Sequence, residues 1–183
     1  MSLGSPKKVV IIGDFAVGKT SLIQSYLGSF SSLETQATLG ADIINCHLPI
    51  EGSNDEIPCQ MWDLSGQQAF ANMRSAFLAK ADGAIIVFDV TRSDSFANVE
   101  KWAGEVASKI GEKEFPVLVV GNKDDLRSED SVRIEEANEI SAILQDTYSF
   151  MVASVITSAL SGEGVSQAFS ELASLLISIS TQH

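Results

Sequence analysis

The sequence predicts an α/β domain with a doubly wound, mostly parallel six-stranded sheet and one antiparallel edge strand. Short runs of β-branched residues alternate with segments of helical period along most of the 183 residues. This alternation is typical of a parallel sheet that helices cover on both faces. A polar turn at residues 51–56 separates two early runs and indicates a hairpin. We interpret residues 6–183 as one domain and residues 1–5 as a cloning remnant.

Each predicted element is justified by its local pattern. Runs of apolar, often β-branched residues predict strands at residues 7–13, 42–50, 57–64, 83–90, 116–121 and 150–156. Apolar residues that recur every three or four positions predict helices at residues 18–27, 96–110, 134–144 and 165–179. Trp102 lies on the apolar side of the second helix, which predicts a core position. Residues 28–40 lack periodicity and predict a long loop.

Composition excludes several classes of protein. There are 12 Lys and Arg against 24 Asp and Glu, so the formal net charge is −12. A nucleic-acid binder or a polybasic membrane surface needs clustered positive charge, which argues against both. Cys46 and Cys59 lie far apart and outside any CxxC motif, which favours a reducing, cytoplasmic environment and argues against a zinc site. No apolar run approaches the ~20 residues of a membrane span.

A glycine-rich loop joins the first predicted strand to the first predicted helix. Residues 13–20, GDFAVGKT, match the phosphate-loop pattern GxxxxGK[ST] in full. Glycines let backbone N–H groups surround phosphates, Lys19 supplies positive charge, and the Thr20 hydroxyl suits Mg²⁺. A simple glycine turn is the alternative. The predicted phosphate-binding residues of this loop are Gly13, Asp14, Phe15, Ala16, Val17, Gly18, Lys19, Thr20 and Ser21.

A second motif, DLSGQ, lies at the end of the third predicted strand. Asp63 at a strand end that faces the phosphate loop is suited to anchor Mg²⁺. The absence of a side chain at Gly66 lets its N–H approach a terminal phosphate, and Gln67 can orient an attacking water. Gln67 and Lys19 are therefore the predicted catalytic residues.

A third motif, NKDD, follows the fifth predicted strand. The carboxylate of Asp125 can accept two hydrogen bonds from guanine, whereas the edge of adenine would leave a buried charge unpaired. Asn122, Lys123 and Asp125 therefore predict a guanine site, while Asp124 is expected to be a solvated neighbour. In isolation the motif also fits a charged turn.

These motifs, in this order, resemble those of small GTPases of the Ras superfamily, a class of P-loop NTPases, over residues 7–180. The segments most similar to Rab proteins are residues 39–43, 61–67, 84–91 and 95–102. The resemblance implies that Thr38 meets Mg²⁺ and the γ-phosphate, and that Phe30 packs near the guanine edge, with loop packing as the alternative for Phe30. It also implies a last guanine-contacting loop that contains Ser158, Ala159 and Leu160.

The implied function is a GTP/GDP switch with Mg²⁺ and slow GTP hydrolysis that regulates vesicle trafficking. Loops 30–42 and 63–77 would change with the nucleotide and meet effector proteins. An exchange factor and a GTPase-activating protein are implied as further partners. The alternatives are a hydrolysis-poor nucleotide-bound interaction module and a Ras- or Rho-type signalling GTPase. An ATP-using phosphate-loop enzyme is a third, which the NKDD motif argues against.

Several residues depart from the family pattern. Phe15 stands where a small residue is usual, and its ring would project toward the γ-phosphate and slow hydrolysis, or turn outward without effect. Leu64 and Ser65 replace the usual Thr and Ala of the second motif. Leu160 lies where the guanine loop often carries Lys. Of these departures, Phe15, Leu64 and Ser65 favour the hydrolysis-poor alternative.

Rab proteins normally end in one or two prenylated cysteines, and residues 179–183 contain none. We expect either that a lipidated tail has been trimmed from this chain or that the protein works without a lipid anchor. A cytoplasmic location is expected, with membrane association only for a prenylated form.

Overall fold

The structure is a computed structural model that describes residues 5–29 and 40–180. The strands are β1 (Lys7–Gly13), β2 (Ala41–Pro49), β3 (Glu56–Leu64), β4 (Gly83–Asp89), β5 (Phe115–Asn122) and β6 (Phe150–Ile156). The α-helices are α1 (Lys19–Tyr26), α2 (Ala71–Leu78), α3 (Ser93–Ala97), α4 (Val99–Ile110), α5 (Ile134–Thr147) and α6 (Val165–Ser180). No helix in these two ranges has the length and apolar character needed to cross a bilayer.

The six strands form one sheet in the order β2-β3-β1-β4-β5-β6. Strand β2 pairs antiparallel with β3 at one edge, and every other pair of neighbours is parallel. The predicted fold class is therefore confirmed. Because the parallel strands run the same way, their carboxyl ends meet at one edge of the sheet, where α/β proteins bind ligands.

Two helical regions differ from the sequence prediction. Helix α2 was not predicted, because Asn72, Arg74 and Ser75 interrupt the apolar pattern of this eight-residue segment. The helix predicted at residues 96–110 is divided at Asn98 into α3 and α4. Asn98 keeps a right-handed backbone (φ −79°, ψ −5°), so the division is a local irregularity between consecutive helices.

The central strands are buried on both faces, as a parallel sheet between two helix layers requires. Along β1, Val9 and Ile11 join the core beneath α1 and α6, whereas Val10 and Ile12 join the core beneath α4 and α5. This alternation follows from the two-residue period of a strand. The continuous apolar runs of β1, β4 and β5 are therefore explained by burial on both sides.

Phe169 of α6 is an anchor of the first core. Its side chain is fully buried, and its ring stacks on that of Tyr26 with a centroid distance of 3.9 Å and an interplanar angle of 13°. The contact joins α6 to the end of α1, the helix that begins at the glycine-rich loop.

We predict that Phe169→Ala lowers the free energy of unfolding by about 3–5 kcal/mol, because it leaves a large cavity under α6. Urea denaturation measures this change. Gln167→Ala on the exposed side of the same helix is the matched control and should change stability by less than about 0.5 kcal/mol. Equal effects of the two substitutions would contradict the assigned core position.

Candidate nucleotide-binding site

The glycine-rich loop connects β1 to α1 at the carboxyl edge of the sheet. Gly18 adopts a left-handed backbone with φ +96°, and a Cβ there would lie 2.3 Å from the Asn122 amide nitrogen. A glycine is therefore required both by conformation and by space. The loop brings the first N–H groups of α1 to the same edge, and such N–H groups at a helix start bind anions well.

Lys19 lies inside this loop and is only 7% exposed. Its ammonium donates hydrogen bonds to the carbonyls of Gly13, at 2.9 Å, and Asp14, at 2.7 Å. Burial lowers the pKa of Lys19 to about 8, although the charges of Asp63 and Asp14 oppose that shift. A positive charge is thus held at the centre of the loop, where an incoming phosphate would compensate for its burial.

Thr20 and Asp63 bring two oxygen groups together beside Lys19. The Thr20 hydroxyl donates a hydrogen bond to the carboxylate of Asp63, whose side chain is fully buried at the end of β3. Mg²⁺ takes oxygen ligands, keeps several waters, and is usually held by one or two carboxylates plus substrate phosphates. This pair of oxygen donors fits that ion. Within residues 5–29 and 40–180, no group of three or more His, Cys, Asp or Glu side chains could hold a metal ion. Thr38 lies outside the described residues.

Gly66 packs directly on the backbone of the phosphate loop. A Cβ at this position would lie 2.4 Å from the Gly13 carbonyl oxygen and 2.7 Å from the Phe15 nitrogen. Only glycine permits this approach, which brings the segment that contains Gln67 beside the loop. The predicted proximity of the second motif to the first is therefore present in the fold.

Asn122 links the phosphate loop to the base side of the site. It is 1% exposed, and its amide nitrogen donates to the carbonyls of Val17, at 3.1 Å, and Gly18, at 3.4 Å. Its amide oxygen accepts from the Thr157 hydroxyl at 3.2 Å and the Ala159 N–H at 3.0 Å. This buried side chain thus joins the NKDD motif, of which Asn122 is the first residue, to the phosphate loop and to the last loop.

Among the other residues predicted to bind guanine, two are hydrogen-bonded to each other. The Ser158 hydroxyl donates to the Asp125 carboxylate at 2.6 Å, which brings the last loop to the NKDD motif. Asp124, expected to be a solvated neighbour, instead accepts a hydrogen bond from the Arg127 side chain and is partly buried. Leu160 is exposed, and Phe30 lies outside the described residues.

Lys123 forms an ion pair with Asp89 at the end of β4, at 2.8 Å. The Asp89 carboxylate is buried and also accepts from the N–H and hydroxyl of Thr91. Burial by itself would raise the pKa of Asp89, but Lys123 and the two Thr91 donors together hold it below its ordinary value. Sequence reasoning missed Asp89, and its only signal was an Asp at the end of a buried strand.

Three further side-chain hydrogen bonds to the phosphate loop were not predicted. The Asp14 carboxylate accepts from the side chains of Asn98 and Trp102, each at 2.8 Å. Trp102 is buried as predicted, yet its indole N–H contacts the loop. Arg92 donates to the Phe15 carbonyl at 3.1 Å, while the Phe15 side chain is 54% exposed. An acidic residue in an anion-binding loop was the available signal for the Asp14 contacts.

Comparison with known proteins identifies the family. A family model described as the Ras family matches residues 8–178. The chain is 36% identical over 171 residues to the Ypt/Rab-type GTPase YPT7 of Saccharomyces cerevisiae, which covers 91% of this chain and 79% of the relative. It is 36% identical over 165 residues to Ras-related protein Rab-11C of Dictyostelium discoideum, with 90% and 70% covered. Ras-related protein RIC2 of Oryza sativa subsp. japonica is 35% identical over 165 residues, with 90% and 72% covered.

The phosphate loop, the DLSGQ segment and the NKDD turn at one sheet edge define a small GTPase, and the chain belongs to the Ras family. Within that family it is a Rab-like GTP-binding switch of vesicle trafficking, which confirms the resemblance drawn from the sequence. Membership implies guanine nucleotide binding, generally with Mg²⁺, GTP hydrolysis, and regulators and effectors. The alternative functions are not favoured.

We predict that Asp89→Asn lowers the free energy of unfolding at pH 7 by about 2 kcal/mol, because it removes a charge-assisted contact to Lys123. The pKa of Asp89 is lowered from 3.8. Its contribution is therefore fully present above that value and is lost as pH falls through the lower folded-state pKa. Chemical denaturation from pH 7 to pH 3 should show the difference from wild type shrinking below about pH 4.

Asp146→Asn on the exposed side of α5 is the control and should change stability little at any pH in that range. A difference between wild type and Asp89→Asn that did not depend on pH would contradict the role of the ion pair.

Proposed function

We propose that this protein binds GDP and GTP with Mg²⁺ through the residues described above, and that it hydrolyses GTP slowly. The single observation that supports this most strongly is the Asn122 side chain, which holds the phosphate loop against the two loops that carry the guanine motif. A nucleotide that spans both regions fits this arrangement, because its base and its phosphates must be bound at once. Residues 6–183 would act as one domain.

On the phosphate side, the backbone N–H groups of residues 13–21 and the ammonium of Lys19 would surround the β- and γ-phosphates. Thr20 and Asp63 would hold Mg²⁺, together with Thr38 if that residue reaches the site as the family resemblance implies. The bound Mg²⁺ would neutralise negative charge on the phosphate oxygens. Lys19 is already buried and charged, so little reorganisation is needed when a phosphate enters.

On the base side, Asp125 would accept hydrogen bonds from guanine while Ser158 keeps its carboxylate oriented. The N–H groups of Ala159 and Leu160 would lie at the rim of the base, and Phe30 would pack near its edge. Lys123, held by Asp89, would lie beside the ring. Guanine would be selected over adenine because adenine does not offer the Asp125 carboxylate the two N–H donors that guanine does.

In hydrolysis, Gln67 would orient the attacking water and the N–H of Gly66 would donate to the γ-phosphate. Loss of the γ-phosphate removes this contact and any made by Thr38, which would change loops 30–42 and 63–77 and with them the surface offered to effectors. An exchange factor and an activating protein would set the rates, and a lipidated tail would be needed for stable membrane association.

We predict that the purified protein retains GDP or GTP, but not ATP, in the presence of Mg²⁺. Asp125→Ala should weaken GDP binding at least about tenfold, because each hydrogen bond to a charged group contributes about 1.5–3 kcal/mol. Nucleotide release followed by chromatography and a titration with fluorescent GDP measure both results. The control is Asp124→Ala, which removes a neighbouring carboxylate paired with Arg127. Equal losses in both variants, or equal retention of ATP, would contradict the proposed guanine site.

Phe15 is proposed to slow hydrolysis. Its backbone nitrogen lies next to Gly66, the residue before Gln67, and its side chain is largely exposed. We predict that Phe15→Gly accelerates single-turnover GTP hydrolysis about tenfold, which corresponds to about 1.4 kcal/mol in the barrier. Phe15→Ala should give most of this gain, which separates loss of the ring from added backbone freedom.

Ile143→Ala, an exposed apolar residue of α5, is the control for removal of a surface side chain. Rates are measured alone and with an activating protein that acts on the yeast relative. Rates of Phe15→Gly that equal those of wild type in both conditions would overturn the proposed effect of the ring.

A further inference from the structure

Arg74 of α2 is a buried arginine that the proposed mechanism does not use. The residue is 2% exposed, although arginine is rarely buried unless it is paired. Its Nη1 donates to the carbonyl oxygens of Ser65 at 3.0 Å and Gln67 at 2.8 Å. These two carbonyls flank Gly66, so the guanidinium holds the segment that packs on the phosphate loop.

The other side of the guanidinium is fixed by α4. Its Nε donates to the Glu105 carboxylate at 3.2 Å, and its carbon lies 4.9 Å from the centre of the Trp102 ring, in a cation–π contact. Both partners are one turn apart on the same helix. The guanidinium is thus held by charge, by a ring face and by two carbonyls, which leaves it little rotational freedom.

Trp102 carries the connection onward to the phosphate loop. Its indole N–H donates to Asp14 Oδ1 at 2.8 Å, and Asn98 donates to the other carboxylate oxygen at the same distance. These contacts turn the Asp14 carboxylate toward α4. They join residues 84 and 88 positions apart in sequence, so α4 forms a rigid support between the two segments.

We propose that Arg74 is a positioning residue that, through Trp102 and Asp14, holds residues 65–67 against the phosphate loop whether GDP or GTP is bound. The inference rests on the proposed nucleotide site and adds a regulatory property to it. The γ-phosphate would then not be the sole anchor of residues 65–67. Its release would leave those residues in place, and the change between the two nucleotide states would occur in the other parts of loops 30–42 and 63–77.

The charge of Arg74 and its forked shape both matter to this role. Lysine would keep the charge but cannot contact two carbonyls and a carboxylate in one plane. Glutamine would keep part of the length and lose the charge, the contact with Glu105 and the cation–π contact. We therefore expect Arg74→Lys to be intermediate between wild type and Arg74→Gln.

Hydrogen exchange measured by mass spectrometry tests the proposal on the full chain. In wild type, amides of residues 65–67 should exchange at rates that differ by less than about threefold between the protein with GDP and the protein with a non-hydrolysable GTP analogue. In Arg74→Gln their exchange should rise at least about tenfold with GDP, and less with the analogue, since the γ-phosphate still anchors Gly66.

The link through Trp102 has its own readout. Exchange at residues 14–17 should rise about threefold in Arg74→Gln, because Arg74, which hydrogen-bonds Ser65, Gln67 and Glu105, acts on those residues through α4. Trp102→Phe keeps an aromatic ring beside Arg74 but removes the indole N–H that donates to Asp14. Because that hydrogen bond connects α4 to the phosphate loop, its loss should raise exchange both at residues 14–17 and at residues 65–67. In a Trp62→Phe background, the emission of Trp102, the remaining tryptophan, should shift in Arg74→Gln.

The matched control is Arg133→Gln, which removes an exposed arginine that pairs with Glu136 at the start of α5. It should leave exchange at both segments unchanged. The proposal is overturned if Arg74→Gln exchanges like wild type at residues 65–67 with GDP, if residues 14–17 do not respond, or if exchange rises equally throughout β5 and α5. The last outcome would assign Arg74 to general stability.

The comparison with GDP needs no hydrolysis, so it remains decisive for a protein that turns GTP over too slowly to detect. If the protein retained no guanine nucleotide, the proposed function would fail on that measurement. Exchange in the nucleotide-free wild type and Arg74→Gln would still show whether Arg74 holds residues 65–67.

Discussion

The side chain of Asn122 is the contact on which the rest of the site depends. It is buried at the carboxyl end of β5, and it hydrogen-bonds the phosphate loop on one side and the last loop, at Thr157 and Ala159, on the other. Without it the Val17 carbonyl and the Ala159 N–H would lose a hydrogen-bond partner, and leaving a buried polar group unpaired carries a free-energy cost of about 1–3 kcal/mol. Because the parallel strands end at one edge, a single amide can connect loops that are more than 100 residues apart in sequence.

An acidic protein can hold a polyanion because the charges are arranged locally. The net charge of −12 describes the whole chain, but Lys19 and the start of α1 face the interior of the phosphate loop. The one carboxylate within that loop, Asp14, is turned away and satisfied by Asn98 and Trp102. A net charge is therefore informative about extended anionic partners, whereas a small phosphate ligand meets only the groups that line its own site.

The same arrangement shows that α4 takes part in the site through its side chains. One face of this helix packs in the core, and its Trp102 side chain has an apolar body with one polar atom. Aromatic residues of this kind are buried with their N–H paired, and here the partner is a residue of the phosphate loop. Helix α4 is thereby tied to both the first and the second motif, and its packing on the sheet limits how far they can separate.

The sequence alone determined the order of the elements, the parallel sheet and the three motifs at its carboxyl edge. This was possible because strand and helix periods and the glycine loops are local properties of neighbouring residues. It did not reveal α2, whose short segment is diluted by polar residues, and it did not assign partners to Asp14, Asp89 or Arg74. Only the tertiary structure decided those contacts, because the ones that tie these residues to other elements, such as Glu105 to Arg74, Lys123 to Asp89 and Trp102 to Asp14, join positions 31 to 88 residues apart in the chain.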